Sequence, residues 1–99
     1  MGVQEHYQVS DDPLRDKIVL GQRAAGLLND DLLRDFLDEL ESGIVTTWMN
    51  TKSGDVVARE RAWFALTAVR RLRELLGLAA ANGRVAQSDL DRLIANEEV

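Results

Sequence analysis

The chain has 99 residues, no cysteine and a net charge of −5. This length limits it to a single domain, and the lack of cysteine excludes disulfides and thiolate metal sites. Hydrophobic residues make up 45% of the sequence and aromatic residues only 5%, which predicts an aliphatic core. No apolar run approaches the roughly 20 residues that a membrane-spanning helix needs, so we expect a cytosolic protein.

The N-terminal part of the chain predicts an arm followed by a helix. Residues 1–12 are polar and lack apolar periodicity, which is typical of an unpacked arm. A helix is expected to begin at Pro13, because two aspartates precede it and proline is favoured in a first helical turn. Gly21 and Gly26 weaken this helix. Gly21 therefore indicates either a close contact with another helix or a break.

A second helix is predicted to begin after Asn29 or Asp30 and to run to about Asn50. Its apolar residues share one stripe about 120° wide, while the opposite face is almost entirely acidic. The stripe contains Leu33, Phe36, Leu37, Leu40, Ile44, Thr47 and Trp48. The polar connector 51–55 is short, so the second and third helices should lie antiparallel as neighbours.

The longest predicted element is a third helix from Val56 to Ala81, with Asp55 as its N-cap and Asn82-Gly83 as its end. Its apolar residues share an arc of about 140°, wide enough to contact more than one neighbouring helix. The arc contains Ala58, Ala62, Ala65, Ala68, Val69, Leu72, Leu75, Leu76, Ala79 and Ala80. We expect Leu40 and Leu72 to be buried between the two long helices.

A short fourth helix is expected near the C-terminus, where Ser88-Asp89-Leu90-Asp91 resembles a capping box. The predicted fold is therefore all-α: an antiparallel hairpin of two long helices, with a shorter N-terminal helix and a short C-terminal helix. The corresponding segments are an arm at 1–12, a helical domain at 13–83, and a short helix with a tail at 84–99.

Opposite charges are concentrated on the two long helices. Residues 30–41 carry six acids and one arginine, whereas residues 59–84 carry six arginines and two glutamates. Two interpretations remain open. The helices carry complementary faces toward each other, or the arginines bind an anionic partner.

The sequence contains no pattern that favours catalysis. His6 is its one histidine and lies in the predicted arm. The paired acids fit the exposed face of the second helix better than a metal site, and no glycine-rich phosphate loop follows a strand. We therefore expect no enzyme activity, no catalytic residue, no metal and no cofactor.

One surface of the third helix is the candidate site for binding another protein chain. Its residues follow one another at helical spacing, outside the main apolar arc: Arg59, Trp63, Leu66, Arg70 and Arg73. Tryptophan and arginine are enriched at the energetic centres of protein interfaces. Burial or cation–π stacking of Trp63 within the monomer is the alternative. Trp48, on the edge of the second-helix stripe, is expected in the core.

The order of residues between Ala24 and Gly83 has a recognisable pattern. It comprises Ala24-Ala25-Gly26-Leu27-Leu28-Asn29, Phe36-Leu37-Asp38-Glu39-Leu40-Glu41, Trp48-Met49-Asn50-Thr51, Arg59-Glu60-Arg61-Ala62-Trp63, Leu72-Arg73-Glu74-Leu75-Leu76 and Asn82-Gly83. It resembles the small acidic helical-hairpin proteins encoded among the head and packaging genes of tailed bacteriophages and prophages.

This resemblance implies a non-enzymatic protein–protein interaction module that belongs to the phage head or assists its assembly. The partners would be phage head proteins or further copies of the chain, in the host cytoplasm or the virion. The alternative is a DNA-packaging or DNA-binding component, such as a small oligomeric terminase-like subunit. Nucleic acid is the less favoured partner, because the chain is acidic and its arginines are dispersed.

Overall fold

The computed structural model describes residues 12–98, which form three α-helices and no β-strand. Helix α1 spans Pro13–Leu28, α2 spans Asp31–Met49 and α3 spans Val56–Glu98. The prediction of an all-α protein is confirmed. The predicted arm lies outside the described residues except for Asp12, and so do His6 and Val99.

Each helix begins after an aspartate whose carboxylate accepts a backbone N–H group of the first turn. These hydrogen bonds join Leu14 to Asp12 (3.1 Å), Leu33 to Asp30 (2.8 Å) and Ala58 to Asp55 (3.1 Å). Such caps satisfy donors that have no partner inside the helix. The predicted starts of the first three helices are therefore confirmed.

The predicted end of the third helix at Asn82-Gly83 is wrong. Helix α3 is 43 residues long in all and continues past Gly83. The short C-terminal helix expected within 84–99 is therefore the last part of α3. Side-chain pairs support the helix beyond this point, since Gln87 Nε2 donates to Asp91 Oδ1 (2.9 Å) and Arg92 pairs with Asp89. Ser88 lies within the helix and caps nothing.

The described residues form two compact units. One contains residues 12–27 and 76–98, and the other is Leu28–Leu75. Helix α3 contributes its last part to the first unit and its first part to the second. The first unit therefore pairs α1 with the end of α3, and the second pairs α2 with the beginning of α3.

In the first unit, Gly21 of α1 and Gly83 of α3 bring the two backbones into close contact. A Cβ atom on Gly21 would lie 2.6 Å from the Cα of Gly83, and one on Gly83 would lie 2.7 Å from the Cα of Gly21. Neither site has room for a side chain. Gly83 therefore serves helix packing rather than helix termination, and Gly21 marks the close contact that the sequence left as one of two interpretations.

In the second unit, α2 and the first part of α3 meet through Leu37, Ala62 and Val69, all buried. Residues late in α2 contact residues early in α3, and residues earlier in α2 contact residues later in α3. Trp48 near the end of α2 faces Arg59 near the start of α3, and Asp38 pairs with Arg73 further along.

The expectation that Leu40 and Leu72 are buried is wrong, because these side chains are 52% and 46% exposed. Seven apolar side chains are buried in the described part of the chain, and four of them are alanines. Residues 28–75 contain only two helices, and a contact between two helices covers a narrow strip of each. The broad apolar arc of α3 is therefore only partly covered.

We expect Gly83→Ala to lower the free energy of unfolding by about 1–3 kcal/mol, because its methyl group would meet backbone atoms that cannot move independently. Urea or thermal unfolding of the purified chain measures this. Gly26→Ala is the matched control, since an added Cβ there meets nothing within 4 Å. It should raise stability by up to about 1 kcal/mol through helix propensity. Equal stabilisation by both substitutions would contradict the close contact.

Candidate functional site

The five residues predicted to bind a partner lie along the first part of α3, on the side that borders α2. Leu66 and Arg73 are half-buried there, so the stripe does not face away from the core as its spacing suggested. It divides into an apolar end around Trp63 and a charged end around Arg70 and Arg73. Trp63 and Arg70 are largely exposed, whereas Arg59, Leu66 and Arg73 are half-buried.

At the apolar end, Trp63 is 58% exposed and Phe64 is 65% exposed. Their rings form an edge-to-face pair with centroids 5.8 Å apart and planes at 82°. Adjacent aromatic side chains with this much uncovered surface are unusual on an isolated soluble protein, because water contacts a large apolar area.

Trp48 of α2 belongs to the same surface. Its ring lies 4.8 Å from the guanidinium carbon of Arg59, a cation–π arrangement, and its side chain is 40% exposed. The expectation that Trp48 is in the core is therefore wrong. The cation–π contact of this region involves Trp48 rather than Trp63.

A small hollow between α2 and α3 adjoins the two tryptophans. It has a volume of about 280 Å³ and is lined entirely by apolar residues: Ile44, Val45, Trp48, Ala62, Trp63 and Leu66. Small-molecule sites usually enclose roughly 300–1,000 Å³ and carry a few polar groups. The size and chemistry of this hollow are better suited to an apolar side chain of a partner protein.

At the charged end, the arginines meet the acidic face of α2. An amino nitrogen of Arg73 lies 2.7 Å from Asp38 Oδ1, and Arg70 Nε lies 3.8 Å from Glu41 Oε1. Arg73 Nε is 4.0 Å from Glu41 and buried without a hydrogen-bond partner in the described part of the chain. These contacts support the interpretation of complementary helix faces, and they leave Arg70 and Arg73 less available to an outside anion.

Sequence reasoning missed Val45 and Trp48 as members of this surface. The signal was present in the short connector, because antiparallel helices joined at 50–55 must place the end of α2 beside the start of α3. Trp48 and Arg59 are therefore neighbours. The prediction that Trp48 lies in the core obscured this consequence.

Within residues 12–98, no group of three or more histidine, aspartate or glutamate side chains is placed to hold a metal ion. None of the three helices combines the length and hydropathy that crossing a lipid bilayer requires.

Arg73→Ala should lower the free energy of unfolding by about 1 kcal/mol, because it removes the ion pair with Asp38 and leaves Arg70 as the remaining arginine near the half-buried Glu41. Arg71→Ala is the control, since within residues 12–98 Arg71 pairs with no acid except Glu74, on its own exposed helix face. Its effect should stay within about 0.5 kcal/mol. Unfolding in low and high salt measures both. If Arg73→Ala and Arg71→Ala lowered the free energy of unfolding equally at every salt concentration, a stabilising contact between α2 and α3 would be contradicted.

Comparison of the chain with protein-family models, with curated proteins and with solved structures finds no match.

Proposed function

We propose that this protein is a non-enzymatic protein–protein interaction module built on an antiparallel hairpin of α2 and the first part of α3. Its partner-binding surface comprises Trp63 with Arg59, Leu66, Arg70 and Arg73. In this proposal the chain is a structural component of a phage head or a factor in head assembly. It acts in the host cytoplasm or the virion, with phage head proteins or further copies of itself as partners.

The observation that carries the proposal is the exposed Trp63 beside a wholly apolar hollow. Covering this surface would remove a large apolar area from water, at about 25 cal/mol per Å². A partner that inserts an apolar side chain into the hollow would also contact both tryptophan rings. Arg59 lies at the edge of the same surface, where a carboxylate of the partner could pair with it.

Assignment to the phage head rests on the resemblance of residues 24–83 to small helical-hairpin proteins of head and packaging gene clusters. The decisive measurement is quantitative mass spectrometry of purified virions and head precursors from the phage or prophage that encodes the chain. We expect a fixed number of copies per particle. Absence of the chain from both mature virions and precursors would refute a structural role in the head.

Trp63→Ala should reduce incorporation into heads by about tenfold or more, which corresponds to ~1.4 kcal/mol of lost contact energy. The folded chain should lose less than about 0.5 kcal/mol, because most of this side chain is exposed. Val57→Ala is the control, since Val57 is 59% exposed and borders neither the hollow nor the tryptophans. Trp63→Ala protein that melts normally and still assembles normally would place the partner surface elsewhere.

The DNA-packaging alternative is separated by a binding titration with duplex DNA at several salt concentrations. A protein that neutralises phosphates loses affinity with a log–log slope of about −0.9 per phosphate contacted. We expect no measurable binding at physiological salt, because the chain is acidic overall and Arg70 and Arg73 already contact carboxylates. Tight binding with a steep salt slope would favour the alternative.

A further inference from the structure

The hollow beside Trp48 and Trp63, called here the tryptophan hollow, lies on one side of the contact between α2 and the first part of α3. A second uncovered apolar surface lies on the opposite side of this contact. It is an open groove with a volume of about 790 Å³. Phe36 and Leu40 form its wall on α2, and Ala58 and Ala65 form its wall on α3. The groove shares Ile44 and Ala62 with the tryptophan hollow but contains neither tryptophan.

The groove walls are apolar and accessible. Phe36 is 58% exposed and Leu40 is 52% exposed. Leu32, 62% exposed, extends the same stripe of α2 by one helical turn. On α3, Leu72 continues the row of Ala58 and Ala65 at a spacing of seven residues.

Small residues make the groove suitable for another helix. Gly43 of α2 and three alanines of α3 line it, so the backbone of an incoming helix can approach closely while its larger side chains contact Phe36 and Leu40. A pair of helices with one uncovered apolar face is half of the layered arrangement that helical bundles complete.

Opposite charges border the groove on its two helices. Glu39 lies on the α2 side and Arg61 on the α3 side. In the described part of the chain, neither side chain takes part in an ion pair, in contrast to Arg70 and Arg73 nearby. The groove therefore has an acidic edge and a basic edge, both available.

We propose that this groove binds the same groove of a second copy of the chain, which makes the protein a two-fold symmetric dimer. In a two-fold contact the same surface is used by both copies, so each residue pair occurs twice. Glu39 of each copy then pairs with Arg61 of the other. A surface with one acid and one base on opposite edges is complementary to itself, whereas an unrelated helix would need matching charges of its own. This contact does not depend on the partner proposed for the Trp63 surface.

Gly43→Gln tests the contact without disturbing the monomer. A Cβ at Gly43 meets nothing within 4 Å, and glutamine is a better helix former than glycine. The added side chain would occupy the groove, so the dimer dissociation constant should rise by about tenfold or more. Gly26→Gln is the matched control, because that glycine is equally unobstructed and lies on α1. It should change the constant by less than about threefold.

Sedimentation equilibrium of the full chain and its variants measures the dissociation constant, and circular dichroism establishes that each variant is folded. We expect Glu39→Arg and Arg61→Glu each to weaken the dimer, and the double variant to recover most of the lost affinity. Trp63→Ala should leave dimerisation unchanged. A chain that stays monomeric at high concentration, a dimer that Gly43→Gln leaves intact, or a double variant without recovery would each overturn the proposal.

Discussion

At the contact between α1 and the last part of α3, Gly21 and Gly83 bring the two backbones so close that neither residue has room for a Cβ. The same principle operates where α2 meets the first part of α3, since Ala62 is buried in that contact. Small residues let helices approach closely, but each contributes little apolar area. The protein therefore consists of close helix contacts with a thin core, and its larger apolar side chains lie beside these contacts.

The position of those larger side chains explains why so much apolar surface of the described residues is exposed. Leu37 and Val69 lie between α2 and α3, while Phe36 and Leu40 lie on one side of this contact and Trp48 and Trp63 on the other. A domain of about 100 residues is only marginally stable even when its apolar residues are covered. Association that covers either surface would add stability to the folded state by mass action.

The two surfaces differ in the state of their charges. On the tryptophan side, Arg70 and Arg73 contact acids of α2, so their main effect is to hold the two helices of this unit together. On the groove side, Glu39 and Arg61 have no such partner within residues 12–98. Paired charges define the local register of α2 and α3, and unpaired charges at an apolar edge give specificity to a contact with another chain. Under the two proposals, this pair of helices would bind one partner on each side.

The sequence by itself determined the helical class, where the three helices begin, and the short connector between α2 and α3. Each of these depends on interactions within a few residues or on a loop too short to allow another arrangement. Tertiary structure decided the rest. Gly83 has the local character of a helix end, yet α3 continues through it because Gly21 packs against it. The exposure of Leu40, Leu72 and Trp48 was likewise decided by which helices are present to cover them, which periodicity along one helix cannot reveal.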